Sequence, residues 1–176
     1  MDTKRMITEG FVKLLNKNSF DNITTQMIVE ASGVSRSTFY RHFKDKYEVM
    51  TYYYQKSVEE VRSNYPFSEY KAFLMDFLSF VKNNYAYFSK VIKTTGDNSF
   101  FVFLSTYVAE YYEFIYRSEL ERKEISTKES YQITIITEGC NEAVRRYILS
   151  GCKDDEKQIA ESVIGILPDE LKAIIK

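Results

Sequence analysis

A chain of 176 residues with 44% hydrophobic and 28% charged side chains can bury a real core, as one domain or as a small domain joined to a larger one. Its formal net charge of -1 excludes a global basic field, so an anionic partner such as nucleic acid has to be met by a local patch. The longest uncharged run, NSFFVFLSTYVA at 98–109, has 12 residues against the roughly 20 a membrane-spanning helix needs, and MDTKRMITEG lacks the pattern of a secretory signal; no membrane partner and a cytoplasmic location are therefore expected.

Only 6 Gly and 2 Pro interrupt the chain, and apolar residues recur at helical rather than alternating spacing, which predicts an all-α fold. The first helix is expected over about Thr3–Asn16, with Ile7, Phe11 and Leu14/Leu15 on one face, ending in the polar turn NKNSFDN. Thr24 is a natural N-cap for a second helix, with Ile23 and Ile28 placed as a hydrophobic staple. That helix should end near Ser32 and Gly33, where glycine accepts a left-handed backbone, and Ser35 should cap a third helix that begins at Arg36. Helix, tight glycine turn, helix is the spacing of a helix-turn-helix.

Asp45 and Glu48 have the spacing of a capping box, opening a linker helix of about 45–64 before Pro66. Further helices are expected at about 67–84, 86–94, 98–122, 127–150 and 154–165, with a short piece after Pro168. Cys140 and Cys152 fall in a stretch that reads as one helix, which would set them about 18 Å apart at 1.5 Å per residue and makes a disulfide between them implausible. Residues 1–50 hold 8 Lys+Arg and 6 Asp+Glu, a net +2, while residues 51–176 are net -3, so the positive bias lies in the first lobe.

The densest chemistry is SRSTFYRHFKDK at 35–46, with four basic side chains, the only histidine and three aromatic rings in 12 positions. Phe39 and Phe43 are four apart and share a face with Val34, while Arg36, Ser37, Tyr40 and Arg41 project elsewhere, so one face packs and the other is free to read. An α-helix fits the DNA major groove, where Arg pairs with guanine edges and Ser or Thr bonds bases, while Tyr, His and Lys reach phosphates. A lone histidine without clustered cysteines or carboxylates cannot close a zinc site, so no metal is expected.

The segment ITTQMIVEASGVSRSTFYRHFKDKYEV resembles the DNA-binding segment of the TetR family of bacterial transcriptional regulators. The likeness rests on Thr24-Thr25, Ala31, Gly33-Val34-Ser35, Phe39-Tyr40, His42-Phe43 and Lys46. The DNA-facing set it implies is Thr24, Thr25, Gln26, Ser35, Arg36, Ser37, Thr38, Tyr40, Arg41, His42 and Lys46. Of these, Thr25 and Gln26 would touch backbone or nearby bases, and Arg36, Ser37 and Thr38 would face bases. Tyr40, His42 and Lys46 would hold phosphates, and Arg41 would lie at the groove edge. Val29 stands where many members have Ala. The resemblance further implies an N-terminal three-helix DNA-binding domain (1–46) and a larger helical ligand-binding and dimerisation domain (47–176).

In the second lobe the rings Phe73, Phe77, Phe80, Phe103, Tyr107 and Tyr111 recur at helical spacing. They are expected to line an effector cavity, because so many Tyr hydroxyls need partners and because the family uses this lobe to bind an inducer. FSKVIKTTGDNSFFVFL and EGCNEAVRRYILSG are similar to C-terminal lobes in the subset that includes regulators of dihydroxyacetone kinase operons, some of which take their signal from a protein. Ile133, Ile136, Cys140, Val144 and Tyr147 form one apolar stripe, and Ile159, Val163 and Ile166 another, expected to meet a second copy in a four-helix bundle. With no GxxxxGK loop, GxSxG elbow or metal-spaced cluster, the chain reads as no enzyme and needs no cofactor. The function expected is a homodimeric, sequence-specific DNA-binding regulator, a repressor of a near-palindromic operator controlled by an unknown small-molecule or protein effector; the alternatives are a co-activator or adaptor that responds to a protein partner, or a small-molecule-binding protein without DNA binding.

Overall fold

The computed structural model describes residues 2–175, all of whose regular structure is helical. In chain order the helices are α1 (Thr3–Lys17), α2 (Thr25–Ser32), α3 (Arg36–His42), α4 (Lys46–Arg62), α5 (Tyr70–Asn83), α6 (Tyr85–Val91), α7 (Phe100–Ser118), α8 (Thr127–Leu149), α9 (Glu156–Gly165) and α10 (Asp169–Lys172), with a 3-10 turn at Phe67–Glu69. None of the described helices is long and apolar enough to cross a membrane.

The starts of the first helices follow from their caps. Asp2 accepts from Lys4 N, the Thr24 hydroxyl from Met27 N, and Ser35 from Thr38 N, each filling a donor that a helix start leaves open. Gly33 ends α2 with φ 68°, a left-handed backbone that would cost a residue with a Cβ about 1–2 kcal/mol. Asp45 Oδ1 accepts from Tyr47 N and Glu48 N, but Glu48 Oε2 reaches Lys44 N at 2.5 Å instead of the cap's own amide, so the expected capping box is not closed there. The reciprocal box is found at Ser126 and Glu129, the start of α8.

The chain divides into two compact units, and the division is not the one the sequence suggests at 46/47. The first unit runs up to Glu59 and takes in Asn84–Phe100; the second comprises Glu60–Asn83 and the chain from Phe101 onward. Within the first unit α1 packs on α2 and on α6. Ile7, Phe11, Leu15, Ile28 and Phe39 are completely buried, with Phe20 edge-on to Phe11 at 6.2 Å between ring centres. Two observations show why α6 belongs here. Tyr87 Oη donates to Met50 O at 2.8 Å, and the Lys90 ammonium donates to Leu15 O and Asn18 O, carbonyls left open where α1 ends. Tyr54, Phe88 and Phe100 close this core with ring contacts of 5.2–6.3 Å.

In the second unit α5 packs against α8 and α9, and α8 against α9. Here the tyrosines find partners inside the chain. Tyr70 and Tyr112 share a hydrogen bond of 2.6 Å, and Tyr112 lies 3.7 Å from Cys140 Sγ. Burial drives both phenols well above their ordinary pKa and pushes the Cys140 thiol up to about 11. Tyr147 donates to Glu156 Oε1 at 2.7 Å, and the same carboxylate takes bonds from Ser79 and Lys82; the Tyr147 hydroxyl first among them holds its pKa below the usual carboxylate range. Cys152 lies outside α8, at φ 56° directly after Gly151 at φ 77°, so the two cysteines do not share a helix as the sequence reading had it; both are free thiols. The helix stops because the chain turns left-handed at 151 and 152.

Replacing Gly33 by Ala is expected to destabilise the first unit by about 1 kcal/mol through the positive φ, although nothing lies within 4 Å of an added Cβ. Urea titration followed by circular dichroism measures it, and an unchanged midpoint would refute it.

Candidate nucleic-acid interface

Helix α3 has only seven residues, too few to hold itself together, and it is fastened from beneath. Phe39 is fully buried and Phe43 nearly so, 6.1 Å apart, and Phe43 meets Tyr52 at 5.3 Å. With that face spent, Arg36, Ser37, Tyr40 and Arg41 are left exposed and Thr38 and His42 half-buried. Arg36 lies 5.7 Å from the centre of the Tyr40 ring, a stacking that extends the guanidinium along the helix. Neither Arg36 nor Arg41 takes part in a salt bridge among the described residues, so both charges remain available to an outside anion.

Ser35 is tied at home, accepting from Thr38 N while its hydroxyl lies 2.9 Å from that of Ser37 and 2.8 Å from that of Thr38. Thr24 is likewise a cap, Thr25 is half-buried, and Gln26 is exposed with its amide donating to Glu30 at 2.8 Å. Val29 is buried on the inner side of α2.

Lys46 has a different task from the one its place in the motif suggests. Its ammonium donates to Phe20 O at 3.0 Å, Asp21 O at 3.1 Å and Ile23 O at 2.9 Å, which uses all three of its N–H donors. The Phe20 ring lies 4.7 Å beneath it. Burial draws its pKa below the ordinary lysine value, against the pull of the Asp21 carboxylate. Lys46 thus pins the loop between α1 and α2 to the start of α4. It lies four positions after His42, so the motif spacing alone could not tell a phosphate contact from this clamp.

The residues expected to line an effector cavity pack on one another. Phe73 and Phe77 stack at 6.1 Å, Phe103 and Tyr107 at 5.7 Å, and Tyr111 stacks on Tyr70 at 6.4 Å with Arg62 5.6 Å from its ring centre; Phe80 is half-buried on the same helix as Phe73 and Phe77. An open cleft of about 550 Å³ lies elsewhere, along α7 and α8, and none of these six residues lines it. Three other tyrosines of this unit, Tyr70, Tyr112 and Tyr147, have their hydroxyls bonded within the chain.

Of the residues expected at a dimer contact, Ile133, Ile136, Tyr147 and Val163 are buried in their own unit, Cys140, Val144 and Ile159 are half-buried, and Ile166 is exposed. The stripe read from the sequence is therefore mostly the inward face of α8. Its outward face carries Tyr131, Ile135 and Leu149, between 57% and 69% exposed, set among Glu138, Glu142 and Arg145, which interrupt any apolar repeat there.

A family model described as bacterial regulatory proteins, tetR family, matches residues 7–52, and one described as transcriptional regulator C-terminal region matches residues 71–169. The HTH-type dhaKLM operon transcriptional activator DhaS of Lactococcus lactis subsp. lactis (strain IL1403) is 21% identical over 90 residues, which span 51% of this chain and about half (48%) of that protein. A solved structure of a dihydroxyacetone kinase operon activator DhaS superposes with a TM-score of 0.67 at 15% identity over 99% of this chain and 98% of that one. A TetR transcriptional regulator from Streptococcus agalactiae 2603V superposes at 0.64, with 16% identity over 99% and 94%. At these identities the superpositions establish the fold.

Replacing Lys46 by Met is expected to lower stability by about 1–3 kcal/mol, since the carbonyls of Phe20, Asp21 and Ile23 lose their donor. DNA affinity at native temperature should keep its salt slope, whereas a lost phosphate contact would lower that slope by about one. Denaturant titration and binding across a salt series measure the two effects separately. The helix-turn-helix, the two matched regions and the shared fold agree that the chain belongs to the TetR family of bacterial regulatory proteins, DNA-binding transcriptional regulators and not enzymes.

Proposed function

We propose that this protein is a homodimer that reads a near-palindromic operator through α3 and changes its occupancy when the second unit meets an effector. The observation that carries the reading is the division of α3: Phe39 and Phe43 are buried, while Arg36 and Arg41 are exposed and free of salt bridges among the described residues. In the major groove Arg36, Ser37 and Thr38 face base edges, Tyr40 and His42 reach phosphates, Arg41 lies at the groove edge, and Thr25 and Gln26 approach the backbone from α2. Lys46 serves this interface indirectly, by holding the loop that leads into α2.

The dimer contact is the outward face of α8. Tyr131, Ile135 and Leu149 lie within about 40° of one another at 100° per residue, with Glu138 and the Glu142–Arg145 ion pair between them. A face of this kind is self-complementary about a two-fold axis, and two recognition helices about 34–36 Å apart then read successive turns of the groove. An operator that overlaps a promoter makes such a dimer a repressor, which is the sign favoured here. The relatives described as DhaS are operon activators, and the same contacts serve that sign where the operator lies upstream.

Selection of random duplexes on the purified protein should enrich a near-palindrome. Arg36→Ala should cost about 1–3 kcal/mol on that site and relax the preference at one base pair per half-site. Failure to enrich any sequence, with binding insensitive to salt, would sink the reading. Ile135→Glu should turn the dimer into monomer in sedimentation at micromolar concentration and weaken operator binding more than it changes the melting temperature, because Ile135 is 65% exposed in the single chain. A variant that stays dimeric would place the interface elsewhere.

A further inference from the structure

The cleft along α7 and α8 is lined by Ser105, Thr106, Ala109, Glu110, Glu113, Thr134, Thr137 and Glu138, with no Lys, Arg or His among them. Its volume of about 550 Å³ falls in the range of small-molecule sites. Asn141 ties the two walls together, its Nδ2 donating to Ser105 Oγ at 3.0 Å. The three carboxylates, Glu110, Glu113 and Glu138, form no salt bridge among the described residues, although many other glutamates of this unit do. Like charges gathered in one cleft without counter-charge raise the local affinity for a cation.

A second observation is independent of charge. Thr106 and Thr134 return their hydroxyls to their own helices, to Val102 O at 3.4 Å and Ser130 O at 3.0 Å. Thr137, also a cleft residue and 2% exposed, does not, and its Oγ1 is the buried side-chain polar atom without a partner among the described residues. A buried hydroxyl left unpaired is destabilising and calls for an explanation. It has one if a ligand that enters the cleft bonds to it.

The carboxylates also say what kind of cation. Among the described residues no group of His, Cys, Asp and Glu converges closely enough to hold a metal ion. Charges spread along a cleft suit a cation whose own charges are spread and whose links are apolar. We infer that this cleft binds an aliphatic polyamine, its ammonium groups on Glu110 and Glu113 of α7 and one N–H donated to Thr137, with methylenes over Ala109. The inference names a ligand class for the regulatory unit and in that respect rests on the regulatory reading. Binding itself is measured without DNA, so a failure of either can be told from a failure of the other.

The test is calorimetric titration of the full-length protein with spermidine at fixed ionic strength. Saturable binding at one site per chain is expected. Each charge-assisted hydrogen bond lost should weaken it about tenfold, so Glu110→Gln with Glu113→Gln should lower affinity about a hundredfold, while Glu119→Gln with Glu124→Gln, the same charge change on exposed residues outside the cleft, should change it less than about twofold. Thr137→Val should weaken spermidine severalfold and, without ligand, raise the melting temperature, a rise that also shows the variant to be folded. Equal losses in the two glutamate pairs, an equal response to magnesium chloride at matched ionic strength, or tighter binding of a tetralysine peptide would overturn the inference.

Discussion

Everything the first unit presents to an outside partner depends on the burial of Phe39 and Phe43. A seven-residue helix is far below the length at which backbone hydrogen bonds alone sustain it, so α3 exists because two rings on one face leave water and Ser35 closes its first turn. That constraint decides which side chains are left over. With Phe39 inside, Arg36 and Tyr40 must point out, and their mutual stacking makes them a single shaped surface. Recognition here is thus a by-product of packing: the core selects the orientation, and the exposed remainder is chemistry.

Lys46 shows how closely the support is built. A lysine at the start of a helix faces the unfavourable end of the helix dipole, and burial further disfavours its charge. Three carbonyls of one loop compensate, and they are the carbonyls of the segment that carries the chain from α1 to the cap of α2. The loop that leads into α2 is accordingly tied to the start of α4 by a charge.

Local signals in the sequence were sufficient for local structure. Thr24, Gly33 and Ser35 each act through groups within three residues, and so the turn and the two helices around it could be read directly. The sequence was silent where the partner is distant. Lys46 and Lys90 are ordinary lysines until their ammonium groups meet carbonyls 23 to 26 and 72 to 75 positions away. Cys152 left the helix because of two successive left-handed residues, of which only Gly151 advertises the turn. In α8 the outward Tyr131, Ile135 and Leu149 are interrupted by Glu138, Glu142 and Arg145, so periodicity picked out the inward stripe and passed over the exposed apolar residues. Rings at helical spacing look alike whether they surround a void or fill one, and the stacks of Phe73 on Phe77 and of Phe103 on Tyr107 are formed by neighbours one turn apart on a single helix.

The return of α6 to the first unit has a practical bearing on how the molecule can be taken apart. The chain passes between units after Glu59, after Asn83 and after Phe100, so the DNA-reading part is not a contiguous piece. A fragment that stops at residue 46 or 60 strips the Lys90 ammonium from the end of α1 and the Phe88 and Phe100 rings from Tyr54. Chimeras that graft this reading head onto another sensor must therefore carry residues 84–100 along with it, and the natural splice points are the last turn of α4, the junction of α5 with α6 and the first turn of α7 instead of the end of the helix-turn-helix.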